Sequence, residues 1–101
     1  MVKITVIYWR DIPSQIVVQR GRKREKALLS SRFQEAIDRA AMRAGKGSSN
    51  AYLEEWRRES FTLDSADELK DIADREAGEL EGKFPDDQLL HLIRNHGSAS
   101  G

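Results

Sequence analysis

The sequence has no cysteine and only two prolines in 101 residues. Without cysteine the chain forms no disulfide, offers no thiolate to a metal ion, and has no thiol for catalysis or redox switching. This composition is compatible with a reducing compartment, and we expect a cytoplasmic protein. A chain of this length has room for a single domain with one modest core. We therefore predict one domain over residues 1–97, followed by a disordered tail over residues 98–101.

Long apolar stretches are also lacking. No apolar run approaches the ~20 residues that span a bilayer, so no membrane partner is expected. The N-terminal residues, MVKITVIYW, contain no cleavage site of a secretory signal. Both features agree with the cytoplasmic prediction.

The formal net charge is zero, with 17 basic and 17 acidic side chains, so the chain as a whole has no electrostatic preference for nucleic acid or membranes. The zero conceals an uneven distribution along the chain. Residues 1–58 carry 13 basic and 6 acidic side chains, whereas residues 59–101 carry 4 and 11, which gives net charges of +7 and −7. A fold that keeps the two parts apart favours a polyanionic partner, and a fold that packs them together does not.

The first part of the chain is typical of a β-hairpin followed by a helix. Residues 2–9 are β-branched and aromatic, which predicts a strand, and the apolar run at its end suggests a central strand buried on both faces. Asp and Pro mark a turn over residues 10–14, and residues 15–20 predict a second strand that pairs with the first. An amphipathic stripe predicts a helix from about Glu25 to Arg43.

The second half contains one ambiguous segment and two helices. Residues 51–62 combine Glu and Arg, which favour a helix, with Tyr, Trp, Phe and Thr, which favour a strand, and we predict an exposed strand. Ser65 and Glu68 fit a capping box for a second helix. Pro85 fits the first position of a third, short helix that stops at Gly97.

The predicted order of elements is β-β-α-β-α-α, which is an α+β fold. A three-stranded sheet covered by helices on one face is the natural way to bury the apolar stripes of the helices. If residues 51–62 form an open edge of this sheet, a second copy of the chain could pair there, so self-association is one expectation.

Aromatic and arginine side chains recur near the ends of two predicted strands. Trp and Arg are among the residue types most enriched at the energetic centres of protein interfaces. We therefore predict a non-catalytic accessory or interaction module that binds an unidentified protein. Its predicted contact surface centres on Trp9, Arg10, Tyr52, Trp56 and Arg57. The alternative is structural, with Tyr8 or Trp9 packed in the core and Trp56 sealing a sheet edge.

A second candidate surface is a run of five cations within seven positions. Such runs contact phosphates in nucleic-acid-binding proteins, and nucleic-acid binding is the runner-up function. The alternative is a solvated turn and helix start, or an intramolecular partner for the acidic second half. The run consists of Arg20, Arg22, Lys23, Arg24 and Lys26.

Catalytic and metal-binding patterns are absent from the sequence. It has no P-loop, no glycine-rich dinucleotide motif, no G-x-S-x-G motif and no nucleophile–histidine–carboxylate set. His91 and His96 are five residues apart, so a helix does not place them as a zinc-binding pair. We therefore expect no enzyme activity, no metal site and no cofactor.

Three segments carry a resemblance to a known family: IYWRDIP at residues 7–13, SRFQEAIDRAAMR at 31–43 and AYLEEW at 51–56. They resemble the small bacterial proteins of the virulence-factor family, which are similar to a domain of a staphylococcal protein called conserved virulence factor C. The resemblance extends from about Val2 to Ile93. The family name describes a phenotype and implies no catalytic residues. Free-standing members of the family occur near genes of folate- and corrinoid-dependent one-carbon metabolism, so the resemblance also implies an accessory role in that metabolism.

Overall fold

The computed structural model describes residues 1–45 and 49–98, so the predicted tail, apart from Ser98, lies outside the described residues. The elements are β1 (Val2–Trp9), β2 (Ile12–Arg20), β3 (Lys23–Leu28), α1 (Ser31–Arg43), α2 (Ser49–Glu54), β4 (Trp56–Leu63), α3 (Leu69–Lys83) and α4 (Asp86–Arg94). The strands form one antiparallel sheet in the order β3-β2-β1-β4. The α+β class is confirmed, but the sheet has four strands and not the predicted three.

The additional strand, β3, lies where the sequence predicts the first helix to begin at Glu25. Its Lys, Arg, Glu, Ala and Leu residues do favour helices. Gly21, however, has a φ of +59°, which a glycine adopts without steric cost, and the chain reverses there so that Lys23 pairs with Arg20. Pairing along β2 outweighs the helix propensity, and α1 begins only at Ser31.

The predicted strand over residues 51–62 consists of two elements. Ser49–Glu54 forms the short helix α2, and Trp56–Leu63 forms the strand β4. β4 pairs with β1 along its whole length. The mixed composition of the segment therefore reflects a change from helix to strand at Glu55.

The β1–β2 hairpin is tighter than the sequence predicts. β2 begins at Ile12, three residues earlier than expected, so the turn consists of Arg10 and Asp11 alone. Ser14 is an extra residue of β2 at the point where the pairing with β1 shifts. Pro13 is tolerated beside this irregularity, because proline lacks the N–H that a regular ladder position requires.

The helices cover one face of the sheet. Val2, Ile4 and Val6 of β1 are buried beneath the helices, whereas Lys3 is exposed on the other face. β1 is central, as predicted, but it is buried on one face and not on two. The helices bury Phe33, Ile37, Leu69, Ile72, Leu89, Leu92 and Ile93 in the core.

Two predicted helix starts differ in detail. α3 begins at Leu69 with Glu68 as its N-cap, and Ser65 Oγ accepts a hydrogen bond from Asp67 N–H at 3.2 Å. The predicted capping box is therefore wrong, because Ser65 is used in a local turn ahead of the helix. Pro85 is the N-cap of α4 and not its first residue.

Glu81 of α3 ties that helix to the start of α1. Its carboxylate accepts hydrogen bonds from Ser30 N–H at 2.7 Å, and from Ser30 Oγ and Arg32 Nη2 at 2.9 Å each. Partial burial alone would raise the pKa of Glu81, but these hydrogen bonds and the Arg32 charge lower the pKa below its usual value. The ionised carboxylate therefore caps the N-terminus of α1 across the fold.

Replacing Glu81 by glutamine is expected to lower the free energy of unfolding by about 1 kcal/mol near neutral pH. The folded-state pKa lies below the unfolded one, so this stabilisation is complete above the unfolded pKa and is lost as the pH falls through the folded pKa. Urea unfolding should therefore show the difference from wild type shrinking as the pH falls below the usual pKa of a glutamate side chain. Glu79→Gln, at an exposed site of the same helix, is the control. A difference that stays constant with pH would contradict the capping role.

Candidate functional site

The five residues of the predicted interaction surface meet at one end of the sheet. The last residue of β1 lies directly opposite the first residue of β4, the hairpin turn supplies an arginine, and α2 supplies a tyrosine. We call this group the arginine–aromatic cluster, and it consists of Trp9, Arg10, Tyr52, Trp56 and Arg57. Strand pairing therefore brings together two sequence regions that are far apart in the chain.

The three aromatic rings of the cluster form a row in which Tyr52 contacts both tryptophans. The ring centroids of Trp9 and Tyr52 are 5.9 Å apart, and those of Tyr52 and Trp56 are 5.7 Å apart with an angle of 71° between the rings. Trp9 is fully buried, and its Nε1–H donates to Tyr52 O at 2.9 Å. Full burial removes Trp9 from the contact surface and agrees with the structural alternative. Tyr52 and Trp56 lie above it and are partly exposed.

Arg10 holds the hairpin turn, the end of α2 and the segment after α4 together. Its Nε lies 3.2 Å from a carboxylate oxygen of Glu55, its backbone N–H donates to Glu55 O at 3.1 Å, and its Nη1 donates to His96 O at 2.8 Å. The guanidinium carbon lies 5.3 Å from the centroid of the Trp9 ring. Arg10 has a φ of +53°, which costs about 1–3 kcal/mol in a residue with a Cβ, and these contacts hold the strained turn in place.

Arg57 connects β4 to the hairpin turn. Its Nε donates to Arg10 O at 2.7 Å, its Nη2 donates to the Asp11 carboxylate at 3.0 Å, and its Nη1 pairs with Glu59. The guanidinium carbon lies 4.5 Å from the centroid of the Tyr8 ring. Burial alone would lower the pKa of Arg57, but the two carboxylates raise it, so the side chain stays charged. Burial, together with Glu59, raises the pKa of the Tyr8 hydroxyl.

The predicted contact surface did not include two carboxylates and one apolar residue of this region. Asp11 and Glu55 neutralise the arginines of the cluster. Leu53, which follows Tyr52 in α2, is 64% exposed. The position of Asp11 beside an arginine in a turn is a signal that could have identified it. Leu53 gave no signal, because the segment was interpreted as a strand.

The five cations of the basic run differ in their surroundings. Arg20 donates to the backbone oxygens of Ser65 and Asp67, both at 2.8 Å, so it links β2 to the segment before α3. The other four cations are exposed. Because side chains alternate along a strand, Arg24 and Lys26 share the sheet face opposite the helices. Arg20, Lys23 and Arg24 nevertheless line one hollow, together with Glu25, Glu68 and Lys70, so part of the run stays together among charges of both signs.

Groups that could support metal binding or acid–base chemistry are dispersed. Within residues 1–45 and 49–98, no three His, Asp or Glu side chains are close enough to hold a metal ion. His91 Nε2 lies 3.0 Å from the side-chain amide nitrogen of Asn95, and His96 follows α4 with a φ of +60°. In the same part of the chain, no helix has the length and apolar character needed to cross a membrane.

The fold and the cluster together describe a small α+β module that presents arginine and aromatic side chains at one end of its sheet. The model of a family described as "Virulence factor" matches residues 7–93, which include the whole arginine–aromatic cluster. The chain belongs to the virulence-factor family, and the expectation from the sequence is confirmed. Comparisons with curated proteins and with solved structures gave no match.

Proposed function

We propose that this member of the virulence-factor family is a non-catalytic accessory module that binds another protein through the arginine–aromatic cluster. The observation that carries the proposal is the convergence of aromatic and arginine side chains around a partly exposed end of the sheet, next to the exposed Leu53. Interface centres are enriched in Trp, Tyr and Arg side chains packed among less exposed neighbours.

The cluster is organised before any partner binds. Trp9 supports Tyr52 from below, and Arg57 is held by backbone, carboxylate and ring contacts at once. Side chains that are already fixed lose little conformational entropy on association. This rigidity supports a binding role, because the surface keeps its shape without a partner.

The charges of the cluster indicate what kind of surface it fits. Its two arginines are already paired with Glu55, Asp11 and Glu59, so a strongly acidic partner gains little from them. In the same segment of the chain, Tyr52 and Trp56 are partly exposed and Leu53 is exposed, which adds apolar and aromatic area to these ion pairs. We therefore propose a partner that contributes apolar side chains. The enzymes of folate- and corrinoid-dependent one-carbon metabolism, which the resemblance implies, are the class to test first.

A second copy of the chain is the other possible partner, and it would pair with the edge strand β4. β4 is an edge strand, and the edge is where a second sheet would add. Three residues in the first half of this strand, Arg57, Arg58 and Glu59, are charged and exposed, which is how proteins protect an edge from pairing. This pattern favours a different protein as the partner, and light scattering of the purified chain separates the two cases.

The proposal is tested by co-purification of the tagged, full-length chain from its own bacterium. Leu53→Asp should reduce recovery of the specific partner at least about tenfold, because a carboxylate placed in an apolar contact costs more than about 1.4 kcal/mol. Met42→Asp is the matched control, since Met42 is 73% exposed on α1, away from the cluster. Recovery that is the same for both variants would contradict the proposed surface.

A further inference from the structure

The sheet face opposite the helices carries a groove lined by cations. Lys3, Arg24 and Arg58 line this groove, which has a volume of about 130 Å³ and includes Thr5 and Val17. No described carboxylate lines the groove, and none of its three cations forms an ion pair with a described residue. A group of unpaired cations around a small polar groove matches the chemistry of a phosphate.

Strand register explains why the three cations converge. Arg24 pairs with Gln19, which pairs with Lys3, so these residues form one row across β3, β2 and β1. Arg58 lies opposite Ile7. Ile7 is four residues along β1 from Lys3, so the backbones of these two residues are roughly 13 Å apart. Long side chains from the two rows therefore reach towards each other over the row between them.

The acidic side chains of α3 lie on the other side of the sheet from the groove. Exposed carboxylates of α3, Asp71, Asp74 and Glu79, lie in the helix layer, which packs on the other face of the sheet. The cations of the groove therefore lie on the side of the sheet away from these acids. The basic and acidic parts of the chain do meet elsewhere, as at Arg32 and Glu81, but at the groove these charges lie on opposite sides of the sheet, which favours an anionic ligand there.

A second hollow adjoins the groove. It has a volume of about 260 Å³ and shares Ile7 and Arg58 with the groove. Gln15 and the ring of Trp56 also line it. The Gln15 Oε1 atom is buried and accepts no hydrogen bond from any described residue. A buried acceptor is normally satisfied, so the Gln15 side-chain amide has unused hydrogen-bonding capacity beside this hollow.

We propose that the uncovered sheet face binds a nucleotide unit across these two depressions. The phosphate lies between Lys3, Arg24 and Arg58, and the base lies against Trp56 and Ile7. Trp56 provides a surface on which any base stacks, and the Gln15 side-chain amide, which lines the same hollow, supplies a hydrogen-bonding group for the edge of the base. This site shares Trp56 with the arginine–aromatic cluster but makes no use of Leu53, and it does not rest on the proposed function.

The nucleotide unit has two sources with the same chemistry, a free nucleotide and one residue of a single-stranded nucleic acid. The site also differs from the basic run identified in the sequence. It uses Arg24 from that run, but Arg20 is occupied by backbone oxygens and takes no part. A single strand would continue over Lys26 on the same face, whereas a free nucleotide would not.

Calorimetric titration of the full-length chain with AMP, an octaadenylate RNA and inorganic phosphate tests the proposal. We expect AMP or the RNA to bind, and Arg58→Ala and Arg24→Ala each to weaken that binding at least about tenfold. Trp56→Leu should weaken both nucleotide ligands but leave inorganic phosphate unchanged. Arg39→Ala, on an exposed position of α1, is the matched control and should have no effect.

The outcomes of the titration decide both the site and the source. RNA binding that is at least tenfold tighter than AMP binding identifies a single-stranded nucleic acid, and equal affinities identify a free nucleotide. The proposal is overturned if neither ligand binds, if inorganic phosphate binds as tightly as AMP, or if Arg39→Ala has the same effect as Arg58→Ala. Circular dichroism of each variant establishes that the fold is intact.

Discussion

Replacing Trp9 by alanine is expected to lower the free energy of unfolding by about 3–5 kcal/mol. The side chain is fully buried, and its loss leaves a large cavity between the hairpin, α2 and the segment after α4. The change also removes the hydrogen bond from the Nε1–H to Tyr52 O, which leaves this carbonyl only the longer bond from Glu55 N–H at 3.4 Å. Urea unfolding followed by far-ultraviolet circular dichroism measures this difference.

Trp56→Ala is the matched control for that measurement. Trp56 is the second tryptophan of the same cluster, lies opposite Trp9 in the sheet and is only partly buried. We expect it to cost less than half as much, because less of its surface leaves water on folding. Equal losses for the two variants would show that Trp9 is not the central packing element at this end of the sheet.

The second large effect is expected at Gly97. This residue has a φ of +92°, and a Cβ built there would lie 2.8 Å from Trp9 Cζ3. Gly97→Ala therefore combines backbone strain with a steric clash against a ring that has no room to move. We expect a loss of about 2–4 kcal/mol in the free energy of unfolding, and a further loss for Gly97→Val.

Gly78→Ala provides a direct comparison for Gly97→Ala. Gly78 lies within α3, and no atom comes within 4 Å of a Cβ placed there. Alanine favours a helix interior over glycine, so this variant should be more stable than wild type by about 0.5–1 kcal/mol. The two glycine substitutions should thus change stability in opposite directions. A stabilising Gly97→Ala would contradict the close packing of the C-terminal turn on Trp9.

The sequence predicted the elements whose signals are local. β1 was predicted from its β-branched and aromatic residues, and the α1 stripe from Phe33 and Ile37 is buried as expected. The strand β3 was not predicted, because its residues favour a helix on their own and form a strand only by pairing with β2. The boundary at Glu55 was also hidden, since α2 and β4 share a composition that supports either structure.

The candidate site shows the same division between local and long-range information. The five residues of the cluster were predicted to lie on one surface, and the structure does bring them together at one end of the sheet. Whether each is buried depends on contacts that the sequence does not show. Trp9 is buried because α2 supplies Tyr52 and because Gly97, far along the chain, packs directly on the ring. The pairing of Arg10 with Glu55 likewise depends on where α2 ends.

Site-specific photo-cross-linking tests most directly the claim that this module binds a protein through the arginine–aromatic cluster. A photoreactive phenylalanine analogue is placed at Leu53, and in a parallel chain at Met42, both of which are exposed. The account predicts a specific cross-linked protein of defined mass from position 53 and none from position 42 after irradiation in the native bacterium. Cross-linking of the same protein from both positions, or from position 42 alone, would contradict it.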